Sequence, residues 1–147
     1  MSWKMTALEL LERYAAGERD FAGVDVNGAD LSGAVLREIN LDRADLSGVN
    51  FTGADLSGGY GRDRHPAYTK IRYAILRNAI FQDANVSYVN FSRSDLSFAD
   101  FSRAYGNGVC FEDACLFCAL LNDAEIGISS FDGANVKGTI LEDAEWV

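Results

Sequence analysis

Three thiols fall within nine residues, at Cys110, Cys115 and Cys118, and the single imidazole, His65, stands far from them in sequence. Thiolate and imidazole are the soft ligands of zinc, but a zinc site takes four ligands, usually as two spaced pairs, and no second pair exists here. The expectation is reduced thiols with no metal role. Nucleophilic and cofactor chemistry fare no better. The chain has no Ser/His/Asp set, phosphate loop, HExxH helix or dinucleotide fingerprint, so no catalytic, cofactor-binding or metal residues are assigned, and a non-enzyme is expected.

Charge is the remaining chemical resource. Asp and Glu number 22 against 13 Lys and Arg, a formal net charge of −9. Gripping nucleic acid needs Lys/Arg patches on the phosphates, so no nucleic-acid partner is expected. An acidic surface suits a basic protein surface instead. One segment runs against this composition, Gly59-Tyr-Gly-Arg-Asp-Arg-His-Pro-Ala-Tyr-Thr69, which holds the only Pro and the only His. Its basic and aromatic side chains Arg62, Arg64, His65 and Tyr68, with Tyr88 twenty residues beyond Tyr68, form a first candidate contact site. Phe98 and Phe117 form a second, as large apolar residues in positions that should face water.

The elements that position these residues follow a period of five. Counting from Phe21 in fives, 23 of 26 sites hold Val, Ile, Leu, Phe or Trp, and the exceptions are Gly61, Pro66 and Gly106. Two residues before most sites stands a small residue, Ala in 14 of the 26 cases, and only Arg19 and Arg64 put a charge there. Neither a helix nor a strand has this period. It specifies a repeat architecture in which the chain turns a corner every five residues. Four corners close a coil of twenty residues, and coils then stack at the strand spacing of about 4.8 Å. Sorting by twenty places Leu31, Phe51, Ile71, Phe91, Phe111 and Phe131 in one column, and Leu36, Leu56, Leu76, Leu96, Leu116 and Val136 in the next. Arg64 falls in a small-residue slot, where a charge cannot be buried, so the segment around it should bulge outward.

The quintets Ala29-Asp-Leu-Ser-Gly33, Ala44-Asp-Leu-Ser-Gly48, Ala54-Asp-Leu-Ser-Gly58 and Ala134-Asn-Val-Lys-Gly138 resemble the repeats of the pentapeptide-repeat proteins. The resemblance covers about residues 21–147. It implies an all-β fold, a right-handed quadrilateral β-helix of about six coils. Residues 10–21 resemble the N-terminal cap of cyanobacterial members. Some family members imitate duplex DNA and bind DNA gyrase, so inhibition of gyrase or another topoisomerase is the alternative to a protein–protein interaction module. Two domains of the sequence are expected: a capping helix within 1–20, and the repeats over 21–147 with an irregular loop at about 59–69.

Thr6-Ala-Leu-Glu9 reads as a capping box, and Gly17 as the C′ residue of the helix it starts. Leu8, Leu11 and Tyr14 are expected to lie over the first coil. At the other end Trp146 either plugs the last coil or meets a second molecule there, giving a weak homodimer. Met-Ser-Trp-Lys has no signal-type apolar stretch, so a cytoplasmic, bacterial protein without a membrane role is expected.

Overall fold

The computed structural model describes residues 3–60 and 66–145. The expected helix, α1, spans Ala7–Ala15. The Thr6 hydroxyl accepts from the Glu9 N–H at 3.1 Å, and the Glu9 carboxylate accepts from the Thr6 N–H at 2.9 Å. The helix ends as a Schellman motif: Gly17, at φ 104°, donates to the Tyr14 carbonyl, and Glu18 donates to the Arg13 carbonyl. The buried face differs from the expected one. Leu10 is fully buried and Leu8 is 65% exposed, while Leu11 and Tyr14 pack part-buried on the core. The helix is therefore rotated so that Leu10, not Leu8, meets the first coil. A short strand β1, Trp3–Lys4, adds a parallel edge to β2, Val24–Asp25, and the Trp3 ring stacks on Phe21.

Beyond the cap the chain repeats itself by parallel bridges. Asp20 pairs with Asn40, Asp25 with Asp45, Asp30 with Asn50 and Val35 with Asp55. Each quintet joins the next coil by three backbone bonds. The Phe21 N–H reaches the Asn40 carbonyl, the Gly23 N–H reaches Asp42, and the Asn40 N–H returns to Arg19, all at 2.8 Å. Each corner is a turn closed by a bond such as Val24 N–H to Phe21 carbonyl at 3.1 Å. Its second central residue has positive φ: Gly28, Gly33, Gly48 and Gly53 lie between 63° and 71°. Fourteen non-glycine residues also hold this conformation, among them Arg43, Tyr73, Arg93 and Phe98.

The register is not twenty throughout. Asn40 pairs with Lys70, Asp45 with Ile75, Asn50 with Ile80 and Asp55 with Asn85, a step of thirty, before twenty resumes at Ile75–Asp95. The irregular segment thus adds ten residues to one coil. It leaves as an antiparallel pair, β3 (Gly59–Tyr60) with β4 (Pro66–Ala67), and the chain resumes at β5 (Thr69–Lys70), which pairs in parallel with β6 (Val89–Asn90). Gly58 is obligatory at the exit, because a Cβ there would meet the Ala67 carbonyl oxygen at 2.3 Å.

This step corrects the columns expected from sequence. The first column is Phe21, Leu41, Ile71, Phe91, Phe111 and Phe131; the second is Val26, Leu46, Leu76, Leu96, Leu116 and Val136. The third is Leu31, Phe51, Phe81, Phe101, Leu121 and Leu141; the fourth is Leu36, Leu56, Val86, Gly106 and Ile126. Leu31 and Phe51 share a column as expected, but Phe51 stacks on Phe81 at 5.1 Å, not on Ile71. A two-quintet excursion preserves the period of five and shifts everything after it by half a coil. The apolar core runs continuously from Leu10 to Ile126. Hydroxyls replace Ala in a few small slots and bond the adjacent backbone. Ser94 donates to the Ile71 carbonyl at 2.6 Å and accepts from the Ala74 N–H at 3.0 Å.

Candidate functional site

The outward residues of each quintet stack as the inward ones do, so a surface feature is a column and not a stretch of sequence. Many outward slots before the large residue hold Asp or Asn, whose side-chain oxygen accepts the N–H two residues on. Asp45 to Ser47 (3.1 Å), Asp95 to Ser97 (3.0 Å) and Asn50 to Thr52 (2.9 Å) repeat this contact. It makes Asp structural as well as charged. For Asp45, Asp55, Asp95 and Asp100 partial burial alone would raise the pKa, but bonds from the hydroxyl and N–H of the following serine outweigh it and leave the pKa lowered. Asp83 is lowered by its bond to Arg103. Asp30 is likewise lowered by its bonds from Ser32. A general acid needs the opposite shift.

The charge is unevenly placed. Among the described residues, outward of the third and fourth columns stand Asp30, Glu38, Asp55, Asp83, Asp100, Asp123, Glu125, Glu142, Asp143 and Glu145, ten carboxylates against Arg37 and Arg103. Outward of the first and second columns eight carboxylates face six cations: Arg43, Lys70, Arg72, Arg77, Arg93 and Lys137.

The first candidate site lies at the edge between the fourth and first columns. Arg62, Arg64 and His65 fall outside the described residues. Tyr68 and Tyr88 do meet, with ring centroids 6.4 Å apart and an interplanar angle of 70°. Tyr88 also covers Gly108, where a Cβ would come within 2.8 Å of the ring. Beside it β7 (Tyr105–Asn107) pairs with β8 (Glu125–Gly127). Gly106 replaces the large inward residue, and its backbone is drawn so far inward that a Cβ would meet the Ser87 nitrogen at 2.6 Å. A shallow depression of about 290 Å³ results, lined by Ser87, Tyr105, Asn107 and Glu125.

The second candidate pair lies between the second and third columns. Phe98 is 44% exposed, and Phe117 is half-buried edge-on against it at 5.7 Å. Arg77 lies over Phe98 at 5.8 Å. Cys110, Cys115 and Cys118 are free and part-buried; burial pushes the Cys110 pKa up. Among the described residues no group of three or more His, Cys, Asp or Glu is placed to hold a metal ion. No described helix is long and apolar enough to cross a membrane. Trp146 lies outside the described residues; Val136 and Leu141 of the last coil are about half exposed.

Sequence reasoning missed one feature, a ladder outward of the first column. Arg43, Tyr73, Arg93 and Asp113 stack in successive coils. Sorting by twenty places Tyr73 beside Gly53, so only the ten-residue step brings Arg43 over it.

Comparison with known proteins follows this geometry. The profile of the family described as pentapeptide repeats matches in 8 copies over residues 20–58, 67–97 and 87–123. The gap between the first two matches coincides with the ten-residue excursion. A search of curated proteins finds no match. Among solved structures, the pentapeptide repeat protein Rfr23 from the cyanobacterium Cyanothece 51142 is similar at 22% identity, over 96% of each chain, with a TM-score of 0.46. HetL, involved in heterocyst differentiation regulation in Nostoc sp. strain PCC 7120, is similar at 23% over 96% of this chain and 94% of its own, with a TM-score of 0.36. QnrB1, a plasmid-mediated fluoroquinolone resistance protein, is similar at 17% over 100% of this chain and 90% of its own, with a TM-score of 0.37.

Proposed function

We propose that this chain, which belongs to the pentapeptide repeat family, is a non-catalytic protein-interaction module whose acidic third- and fourth-column surface docks on a basic surface of a partner protein. The scaffold in this reading is a right-handed, four-sided β-helix of about six coils, working in the bacterial cytoplasm. The observation that carries the proposal is the segregation of ten carboxylates against two guanidiniums on adjoining columns. Asp123 stacks on Asp143 and Glu125 on Glu145, so like charges repeat at the coil spacing of about 4.8 Å. Such an arrangement repels itself and gains nothing for folding. It becomes favourable when a cationic surface covers it. Asp30, Asp55 and Asp100 on these columns, each held by the serine two residues on, support the same reading, since they present fixed charges at little further ordering cost.

Charge reversal tests it. The protein carrying Asp123→Lys and Asp143→Lys should fold normally and lose partners captured from a native lysate by the wild type, and high salt should release those partners. Capture unchanged by the reversal refutes the acidic-surface reading. The alternative, a DNA mimic acting on DNA gyrase, draws on the same surface. It requires the protein to inhibit gyrase supercoiling at micromolar concentration, with the reversed variant inactive.

A further inference from the structure

We propose that the outward strip of the first column, from Arg43 to Arg93, is a second docking site, which accepts a short acidic peptide segment of a partner protein. Three successive coils contribute. Arg43 lies over one side of the Tyr73 ring at 5.2 Å and Arg93 over the other at 5.6 Å, and Arg93 donates to the Tyr73 hydroxyl at 2.9 Å. Lys70 and Arg72, in the slots before and after Ile71, complete the strip on the same face. Of its acidic neighbours only Asp42 lies within these coils, buried and held by Arg72 through both carboxylate oxygens. Four cations against Asp42 and against Asp113, whose carboxylate lies 3.5 Å from Arg93, leave a local charge of about +2 on a chain of net −9. Asn40, Asn90 and Ser92 fill the remaining outward slots of the three coils.

Carboxylate pairing holds most arginines of the scaffold, Arg72 and Arg93 of the strip included, and Arg43 departs from it. Arg103 occupies an equivalent corner slot and is bonded to Asp83 one coil away at 2.9 Å. Arg37 pairs with Asp55 and Arg77 with Asp95. Arg43 and Lys70, both exposed, have no carboxylate partner among the described residues. Two guanidiniums on opposite sides of one exposed ring repel each other across about 10 Å, the height of two coil steps. A carboxylate beside Arg43 and Lys70 removes that repulsion, and Tyr73, 45% exposed, offers an apolar face to the same ligand. The strip is short, and carboxylates bound it at Asp20 and at Glu112 and Asp113. A long polyanion such as nucleic acid would run onto them. A peptide of a few acidic residues would not. This site uses different columns from the acidic surface and does not depend on it.

The probe is a dye-labelled hexaglutamate peptide, read by fluorescence anisotropy at low salt. Binding to the wild type is expected, weakening steeply as salt rises because exposed charges are screened within about 10 Å at 0.1 M. Arg43→Asn combined with Lys70→Gln should weaken it at least about tenfold, the loss of roughly 1.4 kcal/mol. Asn tolerates the left-handed backbone at position 43, so the melting temperature should hold. Lys137→Gln, a cation on another column, should leave binding unchanged. Amide shifts in the wild type on titration should be confined to residues near Asn40, Arg43, Lys70, Tyr73 and Arg93. Undiminished binding by the double variant, shifts elsewhere, or tighter binding of a six-nucleotide oligothymidylate than of the peptide would overturn the proposal.

Discussion

Deleting Gly59 through Tyr68 should leave a folded protein with its columns intact. The deletion joins Gly58 to Thr69, and the path Leu56-Ser57-Gly58-Thr69-Lys70-Ile71 then matches Leu36 to Leu41 in length. Gly58 inherits the slot of Glu38, which has φ 58°, a conformation that glycine adopts freely. Thr69 inherits the slot of Ile39; it is already fully buried, and its hydroxyl accepts the Glu38 N–H at 3.0 Å. The bonds that tie the junction to the next coil survive: Gly58 N–H to the Ser87 carbonyl at 2.8 Å and Thr69 N–H to the Tyr88 carbonyl at 3.1 Å. The β3–β4 pairing disappears together with its own donors and acceptors, so nothing is orphaned. The Tyr68–Tyr88 contact is lost, at about 0.5–1.5 kcal/mol. Against this, an open connection of ten residues costs about 2 kcal/mol to close, by the logarithmic loop law. The two effects nearly cancel. For a domain of this size the melting temperature should move by less than about 8 °C, followed by far-UV circular dichroism. A deletion variant that aggregates, or melts more than about 15 °C lower, would show that the excursion completes the core, and the register argument would fail.

Phe91→Ala removes a fully buried ring stacked on Phe111 at 5.5 Å, and should cost about 3–5 kcal/mol, whereas Phe98→Ala, outward and 44% exposed, should cost under about 1 kcal/mol; equal shifts in the two thermal melts contradict the assigned phase. Gly106→Ala should destabilise by more than the usual Gly-to-Ala change gains, because its Cβ would meet backbone at 2.6 Å, and denaturant titration showing a more stable variant would refute that close approach. Acid should destabilise the fold below roughly pH 4, because lowered folded-state pKa values at Asp45, Asp55, Asp95 and Asp100 mean that their stabilisation is complete above the unfolded carboxylate pKa and is lost as pH falls through the folded ones. Asp95→Asn should flatten that pH dependence in melts from pH 3 to 6, and an unchanged profile would place the linkage elsewhere.

Much of the fold was legible because a solenoid writes its core directly into the chain. Phe21 to Phe51 in fives, Ala in the small slots and Gly at the corners each follow from one local rule, and the structure places them as that rule requires. The capping box and Gly17 were legible for the same reason, being contacts within one turn. The face α1 buries was not. Leu8, Leu10 and Leu11 are all apolar, and the choice among them belongs to β1, whose pairing with Val24 fixes where the helix starts. The candidate surface was legible only in part. Tyr68 met Tyr88 because Tyr68 is the last residue of the excursion, directly before Thr69, whose pairing with Val89 is again a step of twenty. Phe98 and Phe117 met for a simpler reason, being neighbours across one coil junction.

The ladder Arg43–Tyr73–Arg93 was hidden because its members straddle the excursion. Length in this fold acts as an address. An excursion of any multiple of five residues preserves the apolar phase, so the core accepts it whether it holds one quintet or two. Inward and outward columns both register the difference, since two quintets advance every later residue by half a coil relative to every earlier one. Tyr73 would face Gly53 at a step of twenty; at thirty it lies under Arg43. Phe81 likewise lies under Phe51, so the core gains an aromatic stack from the same step. Core packing selects this arrangement, because a step of twenty would put Gly61 and Pro66 in large inward slots and Arg64 in a small one. The same register also assembles the surface: basic and aromatic on the first column, acidic on the third and fourth. A change of quintet number at this corner would therefore re-pair the surface while leaving the core composition untouched, which is a route by which such a rod can acquire a new partner without losing its fold.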